Sequence, residues 1–215
     1  MTPFLLLRGM KRLAADKAYD SEENCRKLYD EHGIKPVIDI RCMWRDKETK
    51  LIDARHADNL VYDEVGTVYC LCPATLEQRP MAYGGFEKDR MALKYVCPMK
   101  AYGLTCQGSA QCEHAMKSER VRLDLDRRIF VPIARSSYVW DREYKKRTAV
   151  ERVNSRLDVS FGFEKHFIRG QKKMEIRVGL ALSVMLAIAV GRIQEHQKEL
   201  MRSLVRSPIP LDKAA

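Results

Sequence analysis

The chain has 215 residues, 46% of them hydrophobic and 32% charged, which supports one good hydrophobic core with a small insertion and excludes a low-complexity chain. The net charge is +10 and unevenly placed: residues 1–114 carry 17 Lys/Arg and 17 Asp/Glu, whereas residues 115–215 carry 22 and 12. A basic C-terminal part of this kind suits a polyanion such as DNA phosphates, against the plainer use of charge for solubility.

Met1–Arg8 is too brief for a signal peptide and has no basic region ahead of its apolar residues. Leu13–Ile40 reads as a strand–helix–strand unit. Leu13–Ala15 is a short buried strand with Asp16 at its C-terminal end. Asp20 is placed to cap the following helix, with Glu23 three residues on as in a capping box. Cys25, Leu28 and Tyr29 have the spacing of one helix face turned to the sheet. Gly33 stops the helix, and Pro36–Ile40 begins the next strand. Parallel pairing of the two strands puts Asp16 at the carboxyl edge of the sheet, where open α/β sheets place their active sites.

Residues 41–137 lack long periodicity, hold six of the seven cysteines and contain short β-like runs, Thr67–Leu71 and Arg128–Val131. They read as a β-rich insertion with loops. A helix is expected over Asp141–Ser160, and a long final helix over Lys172–Glu199, apolar in its first half and polar in its second. The apolar half reads as core packing, with a dimer surface as its other use. Gly179–Gly191 is the most apolar run; it is shorter than the roughly 18 residues a membrane span needs, and charge flanks it. The tail after Ser207 contains two prolines and frays. The expected division is therefore a strand–helix–strand core (1–40), a β-rich insertion with cysteines (41–137), a helical C-terminal part (138–207) and a tail (208–215). A cytoplasmic protein is expected, with no membrane and with its cysteines reduced or metal-bound.

Within the 141–160 helix the run Tyr144–Asp158 carries the most information. Each helical residue advances about 100°, so Tyr144, Arg147 and Glu151 fall in one narrow stripe, and Ala149, Val150, Val153 and Leu157 form a separate apolar stripe. By itself this is equally a solvated face with i, i+4 ion pairs.

Together with the segment around Asp16, the run resembles the DDE-type transposases of bacterial insertion sequences. Their second acid lies in a stretch like Ala-Asp-x-Gly/Ala-Tyr, matched by Ala15, Asp16, Ala18 and Tyr19. Their third acid lies in a signature Y-x2-R-x3-E-x6-K, matched by Tyr144, Arg147 and Glu151. The final Lys of that signature is Asp158 here, a reversal of charge. The resemblance covers nearly the whole chain but only the C-terminal portion of such a transposase. It implies an α/β, partial RNase H-like catalytic fold, a strand–helix–strand plus C-terminal helices, interrupted by the cysteine-containing insertion.

The resemblance also implies a chemistry: metal-dependent DNA strand cleavage and transfer, with two divalent cations about 4 Å apart. Asp16 and Glu151 are then the catalytic residues and the Mg²⁺ ligands. Arg147 holds a phosphate or orients Glu151, and Tyr144 hydrogen-bonds a phosphate or packs on a DNA sugar. Lys145, Lys146, Arg152 and Arg156 complete the DNA-binding set. The first acid of the family has no counterpart in the fifteen residues before Asp16, which contain no Asp. Two of three carboxylates do not hold a metal pair, so the polypeptide alone is expected to be inactive, as a truncated copy or one half of a split gene. The expected partners are transposon ends and target DNA, with a homodimer or an intact transposase. The alternative, from a different class, is a non-catalytic DNA-binding module or relic acting on transposon ends.

The cysteines allow a further expectation. Cys72, Cys97, Cys106 and Cys112 are first-choice ligands for one structural Zn²⁺, with Cys70 and His114 close by. Reduced structural cysteines are the other reading. Cys25 and Cys42 read as small apolar residues.

Overall fold

The computed structural model describes residues 9–46, 48–52 and 59–202. The readings of Met1–Arg8 and of the tail after Ser207 lie outside the described residues. The fold is mixed α/β and divides into two compact units, Met1–Arg147 and Thr148–Ala215.

The first unit opens with β1 (Arg12–Ala15), α1 (Glu22–Arg26) and β2 (Lys35–Ile38). The two strands pair in parallel, with Leu13 opposite Pro36 and Ala15 opposite Ile38; no residue of β1 is buried, so Leu13–Ala15 is not the buried strand expected. Cys25 and Tyr29 are buried, and Leu28 packs with Cys25, Ile38 and Val131. After α1 the chain widens into a π turn over Lys27–Glu31. Gly33, at φ +66, then closes it by donating its N–H to the Tyr29 carbonyl at 2.9 Å, while Ile34 donates to Leu28 at 2.8 Å. A side chain at that φ is disfavoured, which is why glycine stops the helix there.

The helix cap differs from expectation. Ser21, not Asp20, is the N-cap, and its hydroxyl accepts the Asn24 N–H at 3.1 Å. The Asp20 side chain is instead buried. Its carboxylate meets Arg128 at 2.9 Å and Arg135 at 3.6 Å, and it accepts the Arg41 N–H at 2.9 Å. The opposite charge of two arginines outweighs the weaker benefit of a helix cap.

The insertion is β-rich, as expected. One antiparallel sheet runs β3 (Lys50–Leu51), β4 (Leu60–Tyr62), β5 (Val68–Leu71) and β6 (Gln78–Pro80); a second runs β7 (Ala82–Glu87), β8 (Ala92–Val96) and β9 (Ser118–Arg122). A short helix α2 (Pro98–Tyr102) follows β8. Tyr62, Val68, Leu93, Tyr95, Val121 and Phe130 from this region share one core with Tyr29 and Ile40. Arg128–Val131 is not a strand. The Asp126 carboxylate takes the N–H groups of Arg128 and Ile129, both at 3.0 Å, and its carbonyl takes that of Phe130 at 2.7 Å. The run is therefore folded into a buried turn, and its apolar residues fill the core without alternating.

Glu64 is a second buried carboxylate in this network. It accepts the N–H groups of Met43 and Trp44 at 2.7 Å and pairs with Arg128 at 3.1 Å. Burial pushes its pKa up, but these donors win and hold it below the ordinary carboxylate value. α3 (Tyr138–Lys145) ends the unit, and it packs on β1 and β2.

In the second unit α4 (Thr148–Phe161) packs against α5 (Gln171–Gln194). No residue of α4 is buried, and Val150 is exposed, so the stripe of Ala149, Val150, Val153 and Leu157 is not sunk in a core. Among the residues of α5 only Ala181 is buried; Leu180, Val184, Leu186 and Val190 are exposed. Core packing of the apolar half is therefore not what the structure shows. By length and composition alone, α5 is long and apolar enough to cross a membrane. This corrects the expectation from Gly179–Gly191, which left out Met174, Ile176 and Val178 ahead of it. One such helix carries no membrane assignment.

Glu64→Ala leaves two N–H groups and part of Arg128 unpaired and should destabilise the first unit by about 2–3 kcal/mol at neutral pH. A depressed folded pKa means that the contribution is present above the unfolded value of about 4.3 and is lost as pH falls through the folded value. Urea titrations followed by tryptophan fluorescence should therefore show the two proteins converging in acid.

Candidate functional site

The carboxyl edge of the β1–β2 pair brings together Asp16, Asp39, Tyr144 and Arg147. Asp16 follows β1 directly, and its Oδ1 accepts the Ala18 N–H at 3.0 Å, capping the turn Lys17–Tyr19. Its Oδ2 is met by Arg147 Nη1 at 3.1 Å, a contact between residues 131 apart in sequence. Arg147 in turn lies over the Tyr144 ring at 5.4 Å, and that ring stacks on Trp140 at 4.7 Å. The guanidinium is thus held between a carboxylate and an aromatic face. Burial raises the Tyr144 pKa; Asp39 and Asp16 push it further up and Arg147 pulls against them. Asp39, just beyond β2, accepts the Ile40 N–H at 2.9 Å.

Two ion pairs hold α3 against β1. Arg12 meets the buried Glu143 at 2.9 Å, and Arg147 meets Asp16. Glu143 is the stronger anchor: the Lys146 ammonium at 2.8 Å and Arg12 lower its pKa against burial. Lys145 pairs with Asp141 at 2.5 Å, one turn back. Two of the expected DNA-binding cations are therefore engaged by acids of their own helix. The Lys145–Asp141 pair is exposed on both sides, and an exposed pair of this kind is weak enough for phosphate to displace it.

The single helix expected over Asp141–Ser160 is two helices. At the end of α3 the chain tightens to i, i+3 bonding, with Lys146 N–H on the Glu143 carbonyl at 3.2 Å and Arg147 N–H on Tyr144 at 2.9 Å. Tyr144 and Arg147 stay with the first unit; Glu151 lies in the first turn of α4 in the second unit. A carboxylate is favoured in a first helical turn, where unpaired N–H groups leave partial positive charge. Arg152 is exposed on α4. Arg156 donates to the Met201 carbonyl at 2.8 Å within the second unit.

Asp16 and Glu151 are hard oxygen donors of the kind Mg²⁺ takes. Within its own unit both Asp16 oxygens are engaged, one of them by a guanidinium, and among the described residues no three His, Cys, Asp or Glu side chains form a ready metal site.

The insertion holds a separate cluster. Cys70, Cys72, Cys97, Cys106, Cys112 and His114 line one cavity, in which the space open to a water-sized sphere is about 20 Å³. Cys72 and Cys106 sulfurs lie 3.6 Å apart. The hydroxyl and N–H of Thr75, with the N–H groups of Ala74 and Gly108, draw the Cys72 thiol down to about 6. Burial pushes Cys70 up to about 11. His114 Nδ1 pairs with Glu119 at 2.8 Å.

No protein-family profile, no curated protein and no solved structure matches the chain. The geometry above therefore carries the functional reading.

Sequence reasoning missed Asp39, Trp140, Arg12 and Glu143 at the sheet edge. The spacing of Trp140 and Tyr144, one helical turn apart, was the readable signal for their stacking. Nothing in the sequence pointed to the pairing of β1 with Glu143.

Because Asp16 and Arg147 are partly exposed (46% and 28% of their side chains), Arg147→Ala should change the stability of the first unit by less than about 1 kcal/mol. Urea denaturation would check this.

Proposed function

We propose that the chain is the C-terminal portion of a DDE-type transposase, a DNA-binding part of an RNase H-like catalytic domain that does not catalyse strand transfer by itself. The observation that carries this reading is the Asp16–Arg147 contact. The Asp of one motif, at the carboxyl end of a parallel strand, meets the Arg of the other motif, from the far end of the unit. Motifs that resemble a family by chance have no reason to converge in space. In a complete enzyme of this type bound Mg²⁺ would activate the attacking oxygen and stabilise the leaving one.

The roles of the residues follow from their chemistry. Arg147 offers a guanidinium suited to bidentate phosphate contact. In the chain by itself it neutralises Asp16. DNA phosphate arriving at Arg147 would release that carboxylate, so nucleic-acid binding and exposure of the acid are linked. Tyr144, stacked on Trp140, presents a rigid ring beside the guanidinium. Lys145, Lys146, Arg152 and Arg156 supply charge for the backbone, consistent with the excess of cations after residue 114. The partners under this reading are transposon ends and target DNA, together with a second copy or an intact transposase, in a bacterial cytoplasm at the nucleoid.

The second reading is a DNA-binding module with no catalytic role. The pairing of Asp16 with Arg147 and the absence of a ready three-acid group among the described residues favour it for the polypeptide alone. The two readings separate on Glu151.

Fluorescence anisotropy should show the purified chain binding duplex DNA, with log affinity falling linearly against log salt. Replacing Lys145 and Lys146 by Ala should weaken binding to all sequences alike and reduce the salt slope by about one for each phosphate no longer neutralised. Glu151→Ala should leave affinity unchanged, whereas Asp16→Ala, which removes the carboxylate that competes with phosphate for Arg147, should raise it. In an assembly that supplies the first acid they should abolish Mg²⁺-dependent strand transfer; full activity of Glu151→Ala there would favour the module. Strand transfer by the purified chain alone would overturn its proposed inactivity, and absence of DNA binding would sink both readings.

A further inference from the structure

The segment from Ala101 to Lys117 poses a physical problem. Among its seventeen residues only Gly108 is buried, so it has no apolar core of its own, and its regular structure is the end of α2 and one turn, Ser109–Gln111. A segment of this length without a core needs some other staple. What it turns inward to the cavity is Cys106, Ser109, Cys112, His114 and Ala115, beside Cys72 after β5 and Cys97 after β8. The cluster thus draws on three separate places in the insertion.

Several features of the cluster are those of a thiolate site. The Cys72 and Cys106 sulfurs, at 3.6 Å, stand close to the roughly 3.8 Å that two ligands of a tetrahedral zinc keep from each other at a Zn–S distance of about 2.3 Å. Gly108, on the facing loop, packs against the Cys72 sulfur. Asn59 Nδ2 donates to Cys112 Sγ at 3.3 Å and to the Leu71 carbonyl at 2.7 Å, the kind of outer donor that stabilises a thiolate.

Gly108 is there for space. A Cβ on it would lie 2.8 Å from Pro73 Cδ, 2.9 Å from the Ala74 nitrogen and 3.0 Å from the Cys72 sulfur. The two loops approach as closely as backbone allows, and what lies between them is sulfur. The cavity has room for an ion or one water and not for an organic ligand.

We propose that Cys72, Cys97, Cys106 and Cys112 bind a single structural Zn²⁺ that staples the 101–117 segment to the ends of β5 and β8. Cys70 stays outside the set. It sits on β5 itself, packed against the main core. His114 is turned to Glu119. Because no three side chains already stand at ligand spacing among the described residues, ion entry includes rotation of the Cys97 and Cys112 side chains onto the Cys72–Cys106 pair. Each thiol that ligates releases its proton to solvent, and no electron is transferred. The inference rests on the insertion alone and is independent of the transposase reading.

The full chain, purified without chelator, should contain one zinc per polypeptide by elemental mass spectrometry. Exchange to cobalt should give an intense sulfur-to-metal charge-transfer band of four-thiolate strength and the visible bands of a tetrahedral ion. Cys70→Ser and Cys42→Ser should keep one equivalent, whereas Cys72→Ser and Cys106→Ser should lose it. Gly108→Ala should bind zinc more weakly and release it sooner to a chromogenic chelator. Three results would overturn the proposal: a zinc-free chain with every cysteine free to a thiol reagent, a Cys72–Cys106 disulfide seen as a loss of two hydrogens in mass, or a cobalt complex without the thiolate band. The cobalt spectrum is read on the unmutated chain, so a variant that fails to fold does not decide the matter.

Discussion

Asp20 is a carboxylate with no exposed side-chain surface, set against the guanidinium groups of Arg128 and Arg135. Arg128 reaches on to Glu64 and the Arg41 carbonyl. Arg135 donates to the carbonyls of Ile38, Arg128 and Ile129. Through these contacts one buried charge cluster ties the strand–helix–strand segment to the insertion and to the turn that follows β9. A buried ion cluster is a poor source of net stability, because desolvation of each charge offsets most of the attraction. It is a demanding source of specificity. Each partner has a single satisfactory place, and removing one strands the others.

The geometry of the candidate site depends on that cluster. Asp20 lies four residues after Asp16, and Ile38, whose carbonyl Arg135 holds, precedes Asp39. Fixing these two points fixes the carboxyl ends of β1 and β2. α3 then docks through Glu143 on Arg12, and the end of α3 delivers Arg147 to Asp16. Glu151 follows the helix break, in a separate compact unit. Asp16 is therefore positioned by the buried network.

The cysteine cluster is held together by a different interaction. The two sheets of the insertion share an apolar core around Tyr95 and Phe130, and this organises the strands. It does not reach the 101–117 segment, which sulfur contacts and a few polar bonds hold in place, such as Arg79 to the Thr105 carbonyl at 2.5 Å. Thus hydrophobic burial builds the sheets, buried charge joins them to the βαβ segment, and the 101–117 segment turns its cysteines to the ends of β5 and β8.

Much of this was legible in the sequence because it rests on local chemistry. The spacing of Leu13–Ile40 specified a strand–helix–strand unit with Cys25 and Tyr29 turned to the sheet, Gly33 marked the end of the helix, and the cysteine-bearing segment was readable as β-rich. The motif residues Asp16, Tyr144 and Arg147 were also readable, as residue types at fixed offsets. Tertiary structure decided the rest. Asp20 left its expected cap for two arginines more than a hundred residues away, since paired burial offers a carboxylate more than a helix end does. Arg128–Val131 bent into a turn because the Asp126 side chain competes for its N–H groups. The single helix expected to carry Tyr144, Arg147 and Glu151 was divided in two by a tightened turn after Lys145. Local propensity sees neighbours a few positions apart; it cannot see which distant charge will reach a buried group first, and here that choice sets where Asp16, Tyr144 and Arg147 stand.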